Sequence, residues 1–249
     1  MERYFIKLAY KGSDYNGWQR QPNGLTIQQI LEESLSIILH HPIKLTGAGR
    51  TDAGVHASEY FTHFDLDLQV SPKRLENLVF KLNGFLNENI VIYQIFPVQS
   101  QYHARFSATS RTYQYFITTV KNPFRQDLTY YLYGTFNIDL MNEASRIIME
   151  YDDFTSFSKV DTDSKTNICR IDYAHWDCIG NELVFTIKAD RFLRNMVRAI
   201  VGTLIMVGRG KSSLEELRWI IESKNRSNAG SSVPACGLHL VKIEYPWDL

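Results

Sequence analysis

The order in which apolar periodicities follow one another constrains this chain more than its composition does. Strand-like alternation runs from Tyr4 to Tyr10. Thr26 followed by Gln29 forms a capping box, and Ile27, Ile30, Leu31, Leu35 and Ile38 fall on or near one stripe of the helix behind it. A short strand, Ile43 to Thr46, enters a glycine-rich loop, and a run from Ser58 to Leu66 leaves it with strand character. Ser71 and Pro72 stand at helix-start positions ahead of Leu75, Leu78, Val79 and Leu82, and a strand from Ile90 to Phe96 closes the series. This β-α-β-β-α-β order is the split ferredoxin-like one.

The second half repeats it. A strand is expected from Arg111 to Val120, a helix from Leu140 to Tyr151, and strands from Arg170 to Cys178 and Glu182 to Ala189. A long helix from Phe192 to Val207 follows, then an inserted helix capped by Ser213 and Glu216, then a strand from Leu238 to Tyr245. The expected fold is α+β: two ferredoxin-like units, residues 1–105 and 106–249, forming an extended mixed, mainly antiparallel sheet with a central active-site cleft. Segments Gly12–Gly24, Asn122–Asp127, Asp161–Asn167 and Asn225–Cys236 are polar or rich in turn formers and read as loops.

Composition enters as exclusion. Hydrophobic residues make up 44% and charged residues 22% of the 249, which excludes disordered and fibrous classes. The apolar run Ala199–Val207 is far shorter than the roughly 20 residues of a membrane span, and the charged start MERYFIKLAY does not resemble an export signal. Cys169, Cys178 and Cys236 form no C-x-x-C pair, so free thiols and a cytoplasmic location are expected. Formal net charge is zero, yet Lys188–Arg226 holds nine basic against four acidic residues, while residues 1–102 hold nine against ten. That segment could present a local basic face; solvated helix arginines are the alternative, and charge alone does not choose.

Chemistry concentrates in GAGRTDAGVH, Gly47 to His56. Its glycines permit positive φ and close approach of a ligand to the backbone. A phosphate cradle fails on context: G-K-[ST] is missing, and no helix follows the glycines directly. Asp52, His56 and His63 match no strong metal spacing. A structural hairpin carrying a solvated Asp52 remains as open as a functional site on loop composition alone.

The run GAGRTDAGVHA closely resembles the catalytic motif of the bacterial tRNA pseudouridine(38-40) synthases, the tRNA pseudouridine synthase A family. YKGSDYNGWQRQPNGLTIQ near the start, YHARFSATSRTYQY in the middle, and FLRNMVRAIVG and GLHLVKIEYP toward the end agree in the same order, so the resemblance spans nearly the whole chain. It implies an isomerase that flips a uridine out of the tRNA anticodon arm, at positions 38, 39 and 40, and converts it to pseudouridine. The reaction breaks the N1 glycosidic bond, turns the uracil and rejoins it through C5. No redox change or external group is needed, so no cofactor and no metal is expected; a homodimer is.

The resemblance also distributes roles. Asp52 is the catalytic carboxylate, and Arg198 is the cation paired with it, consistent with an arginine set among apolar Val197, Ala199 and Ile200. Tyr113 stacks on the uracil, Arg50 holds the space left by the flipped base, and Leu238 closes the pocket as an apolar wall. Flipping costs a few kcal/mol, so such interactions matter. Tyr102, His103, Ala104, Arg105 and Phe106 match the base-flipping segment, with Tyr in place of the usual first Phe, and Ser164, Lys165 and Thr166 match another RNA contact. Asn16, where many relatives have His, and PACGL in place of P-P-x-G-L are further departures.

Two rivals stand beside this reading. A non-catalytic pair of RNA-recognition domains would need an RNP1-type run, and the sequence has none. A pseudouridine synthase for another RNA site would share the catalytic loop and differ in substrate contacts.

Overall fold

The computed structural model describes residues 1–67, 69–159 and 166–247. Its elements run β1 (Glu2–Tyr10), α1 (Ile27–Leu39), β2 (Thr46–Gly47), β3 (His56–Leu66), α2 (Pro72–Phe85), β4 (Ile90–Val98), β5 (Ser110–Thr118) and β6 (Tyr130–Tyr131). They continue as α3 (Ile138–Ile148), β7 (Ile171–Ile179), β8 (Glu182–Ala189), α4 (Met196–Gly208), α5 (Leu214–Glu222) and β9 (Leu238–Glu244). The fold is α+β with mostly antiparallel strands. Two compact units divide the chain, Met1–Thr109 with the residues from Leu240 onward, and Ser110–His239.

In the first unit β1 is the central strand, antiparallel to β3 on one side and β4 on the other. β2 pairs with β3, which gives the β4-β1-β3-β2 order of a ferredoxin-like unit, and β9 also lies beside β3. β1 is central because Tyr4, Phe5, Ile6 and Leu8 are all fully buried, so it carries apolar side chains on both faces. α2 packs on β4 through the i, i+3, i+7 set Leu75, Leu78 and Leu82, each worth roughly 1.5–3 kcal/mol of burial. α1 buries Ile27, Leu31 and Leu35, while Ile30 and Ile38 are half-buried. Its capping box closes on one side: Thr26 Oγ1 accepts from Gln29 N at 3.3 Å, but the Gln29 amide turns to Glu33 Oε1 at 3.0 Å. The box at α5 is complete in both directions.

In the second unit β8 lies between β5 and β7, antiparallel to both. β6, two residues long and parallel to β5, has too little periodicity to be read from sequence. α4 begins at Met196 and not at the expected Phe192, because Asn195 sits at φ +67°, a left-handed conformation that cannot continue into a helix. From there α4 is buried on nearly every side, as an all-apolar helix must be. Gly202 lets the segment around Ser231 cross it closely: a Cβ there would fall 1.9 Å from Ser231 O. No helix among the described residues is long and apolar enough to cross a membrane.

Candidate active site

Asp52 lies in the turn between β2 and β3, half-buried, directly after the buried Thr51. The turn is fixed from several directions. Val55 N donates to Asp52 O at 3.2 Å, and Gly54, at φ +79°, donates to Tyr15 O at 3.4 Å. Trp18 N donates to Thr51 O at 3.2 Å, and the Thr51 hydroxyl is 2.9 Å from Tyr10 Oη. Gly17 and Gly12 are glycines because the turn presses on them: a Cβ would fall 2.3 Å from Thr51 O at the first and 2.0 Å from Val55 O at the second. The segments GSDYNGW and GAGRTDAGVH are therefore one packed object, two loops locked backbone to backbone.

Under the turn lies an aromatic platform made by Tyr10 and Trp18 of the YKGSDYNGW segment and by Tyr60 of β3. Trp18 and Tyr60 pack with ring centroids 4.1 Å apart, and Tyr10 meets both. Tyr60 Oη is hydrogen-bonded to both polar backbone atoms of Gly49, and a Cβ at Gly47 would strike Tyr60 Oη and Trp18 Nε1. Gly49 itself has nothing within 4 Å of a built Cβ, and the next residue, Arg50, is exposed. The signal that could have found the platform is the strand alternation that turns Tyr10 and Tyr60 to the same side.

His56 is not aimed at a ligand through Nδ1, since Gly12 N donates to that atom at 3.1 Å. His63 Nδ1 is similarly engaged by Ala104 N at 3.1 Å. Among the described residues no group of three or more His, Cys, Asp or Glu is arranged to hold a metal ion. Asn16 makes local hydrogen bonds: its Nδ2 donates to Asn23 O at 3.0 Å and its N to Leu25 O at 2.8 Å, which shapes the loop that carries Trp18.

Tyr102–Phe106 form a turn after β4. Tyr102 stacks on Trp247 with centroids 3.8 Å apart, Ala104 is fully buried, and Arg105 and Phe106 are exposed, the Phe106 side chain at 76%. The Arg105 guanidinium lies 5.5 Å from the Phe106 ring centroid.

In the second unit, Tyr113 is half-buried on β5, opposite Ile187 and edge-on to Phe192 at 5.1 Å. Arg198, half-buried on α4, is joined to Val233 twice: its Nε donates to Val233 O at 2.7 Å, and Val233 N donates to its carbonyl at 3.2 Å. Leu238 opens β9 and is 6% exposed. Just before it, Tyr115 Oη donates to Pro234 O at 2.8 Å, and a Cβ at Gly237 would fall 2.8 Å from Phe116 O, so the PACGL departure keeps the glycine that β5 requires. Thr166 is exposed, and its hydroxyl accepts from Ile168 N. Ser164 and Lys165 lie outside the described residues.

Comparison with known proteins agrees with this local architecture. A family model described as tRNA pseudouridine synthase matches residues 151–246. The chain is 52% identical over 249 residues to tRNA pseudouridine synthase A of Parabacteroides distasonis, covering 100% of this chain and 98% of that protein. It is 51% identical to the protein of that name from Bacteroides thetaiotaomicron (100% and 93% covered) and 37% identical to that from Aliivibrio salmonicida (99% and 95%). Similarity at this level covers the chain from end to end, so the chain belongs to the tRNA pseudouridine synthase A family.

Proposed function

We propose that this isomerase converts uridine to pseudouridine at positions 38, 39 and 40 of the tRNA anticodon arm, with Asp52 as the nucleophilic carboxylate. The observation that carries the reading is full-length identity to enzymes named for tRNA pseudouridine formation, together with a half-buried Asp52 on a turn locked by Gly12, Gly17 and Tyr10. A carboxylate can attack C1′ of the ribose or assist departure of uracil; in either route the C1′–N1 bond breaks, a C1′–C5 bond forms, and the C5 proton is lost while N1 gains one. No electron acceptor or donated group enters that balance. A single carboxylate suits retention of the base, whereas hydrolysis of a glycosidic bond ordinarily uses a flanking acid and base pair.

In the same reading Tyr113 stacks on the uracil, Arg198 supplies the cation for Asp52, and Leu238 is an apolar wall. Arg50 and the Tyr102–Phe106 turn engage the RNA around the evacuated position. An exposed Phe106 beside Arg105 suits both stacking and phosphate attraction. The working unit is a homodimer.

The test is release of tritium from C5-labelled uridine in unmodified tRNA by the purified chain with nothing added, followed by mapping of the product. Asp52→Asn should abolish release while tRNA binding persists, and modification should appear at positions 38 to 40. An active Asp52→Asn protein would end the nucleophile assignment, and product confined to other positions would end the substrate assignment.

A further inference from the structure

The backbone of the Tyr102–Phe106 turn is held almost atom by atom, by local bonds and by three side chains from distant parts of the sequence, Arg3, His63 and Tyr245. Tyr102 N donates to Gln99 O at 3.0 Å, and Tyr102 O accepts from Arg3 Nη1 at 2.9 Å. His103 N donates to Ser107 Oγ at 2.9 Å, and Ser107 N returns to His103 O at 3.0 Å. Arg105 N and Phe106 N both donate to His103 Nδ1, at 3.1 and 3.2 Å. Between them, Ala104 is gripped at both polar atoms: its N–H by His63 Nδ1 at 3.1 Å and its carbonyl by the Tyr245 hydroxyl at 2.7 Å.

We propose that His63 and Tyr245 are positioning residues for RNA binding: clamping the Ala104 peptide, they preset the turn so that Arg105 and Phe106 meet tRNA without first being ordered. This rests on the reading above that the turn engages RNA. A turn whose conformation is fixed beforehand loses less entropy on binding, so the clamp acts on affinity and not on the chemical step.

The clamp needs His63 neutral, with a lone pair on Nδ1. His63 is 4% exposed, lies nearly parallel to Phe5 at 5.7 Å, and meets the edge of His103 at 4.8 Å. Burial first, then the charge of Arg3 and the neighbouring His103, push its pKa down to about 4, with Asp65 pulling the other way. His103 is shifted down by the same kind of surroundings, so it too accepts. Arg3 is spoken for as well, through a two-pronged pair with Asp65 at 2.8 Å on each arm.

His63→Leu removes the acceptor and leaves a buried N–H unsatisfied, whereas His63→Asn can return an oxygen near the position of Nδ1. Amide exchange and steady-state kinetics on tRNA read the outcome. In His63→Leu, protection of the Ala104, Arg105 and Phe106 amides should fall and KM should rise about tenfold, with kcat within about twofold; His63→Asn should recover most of both. If His63→Leu does not fold, Tyr245→Phe tests the carbonyl side of the clamp and should move KM in the same direction. Unchanged protection in folded His63→Leu overturns the proposal. So does lost protection with unchanged KM, provided that Arg105→Ala raises KM. If Arg105→Ala also leaves KM unchanged, the RNA-contact reading of the turn fails, and the positioning role fails with it.

Discussion

Replacing Gly17 with alanine should damage catalysis through a buried residue that has no side chain. Two costs add. Gly17 sits at φ +81°, where an L side chain costs about 1–2 kcal/mol. Its Cβ would also lie 2.3 Å from Thr51 O, where ordinary contact begins at 3.4 Å, so the Thr51 carbonyl must retreat by about 1 Å. That movement stretches the 3.2 Å bond from Trp18 N past useful length, at a further cost of about 1 kcal/mol. Total destabilisation of about 2–3 kcal/mol is survivable for a chain of this size. Asp52, the nucleophile proposed above, is the next residue, and a displacement of about 1 Å at a reacting group costs on the order of 100-fold in rate. The C5-tritium assay on tRNA should show kcat down about that much, with thermal unfolding confirming a folded protein. Gly180→Ala provides the control: φ is +61° but nothing lies within 4 Å, so stability should fall by about 1–2 kcal/mol with kcat unchanged. A folded Gly17→Ala enzyme with kcat within about threefold of wild type would refute the idea that the Gly17 contact places Asp52.

Three other outcomes follow from the same geometry. Gly49→Ala should leave stability within about 0.5 kcal/mol, because no atom lies near its Cβ; a large stability loss in urea titration would contradict the described turn. For His63, whose folded pKa is about 4 against an ordinary 6.5, the unfolded chain binds more protons between those values. Its contribution is therefore complete above pH 6.5 and is lost as pH falls toward 4, on the order of 3 kcal/mol, and His63→Asn should flatten the urea midpoint over that window; an unaltered slope would show that His63 does not carry it. Alkylation should label exposed Cys178 first and spare Cys169, which is fully buried and whose thiol burial pushes up to about 12; mass spectrometry showing early Cys169 modification would overturn the burial.

Helix positions were legible wherever a stripe was broad, as in Leu75, Leu78 and Leu82 of α2, because a 3.6-residue period is a local property. The start of α4 was not, because the turn at Asn195 is set by its left-handed backbone and by Asn195 Nδ2 reaching Ser232, 37 positions away. The Asp52 loop stood out as Gly-rich, but composition alone could not separate a working carboxylate from a plain hairpin; resemblance across the chain tipped that balance.

By itself, the sequence determined the α+β class, the order of the longer helices and strands, and the family, since these depend on local periodicity and on the spelling of contiguous motifs. Tertiary structure alone decided what the motifs are for physically: that Gly12 and Gly17 yield space to Thr51 and Val55, that Tyr60 holds Gly49, and that His63 and Tyr245 grip Ala104 from 41 and 141 positions away. Such pairs join residues whose separation in sequence carries no period. They exist only once β1, β3 and β9 lie side by side and bring distant side chains within the 3 Å or so that a hydrogen bond requires.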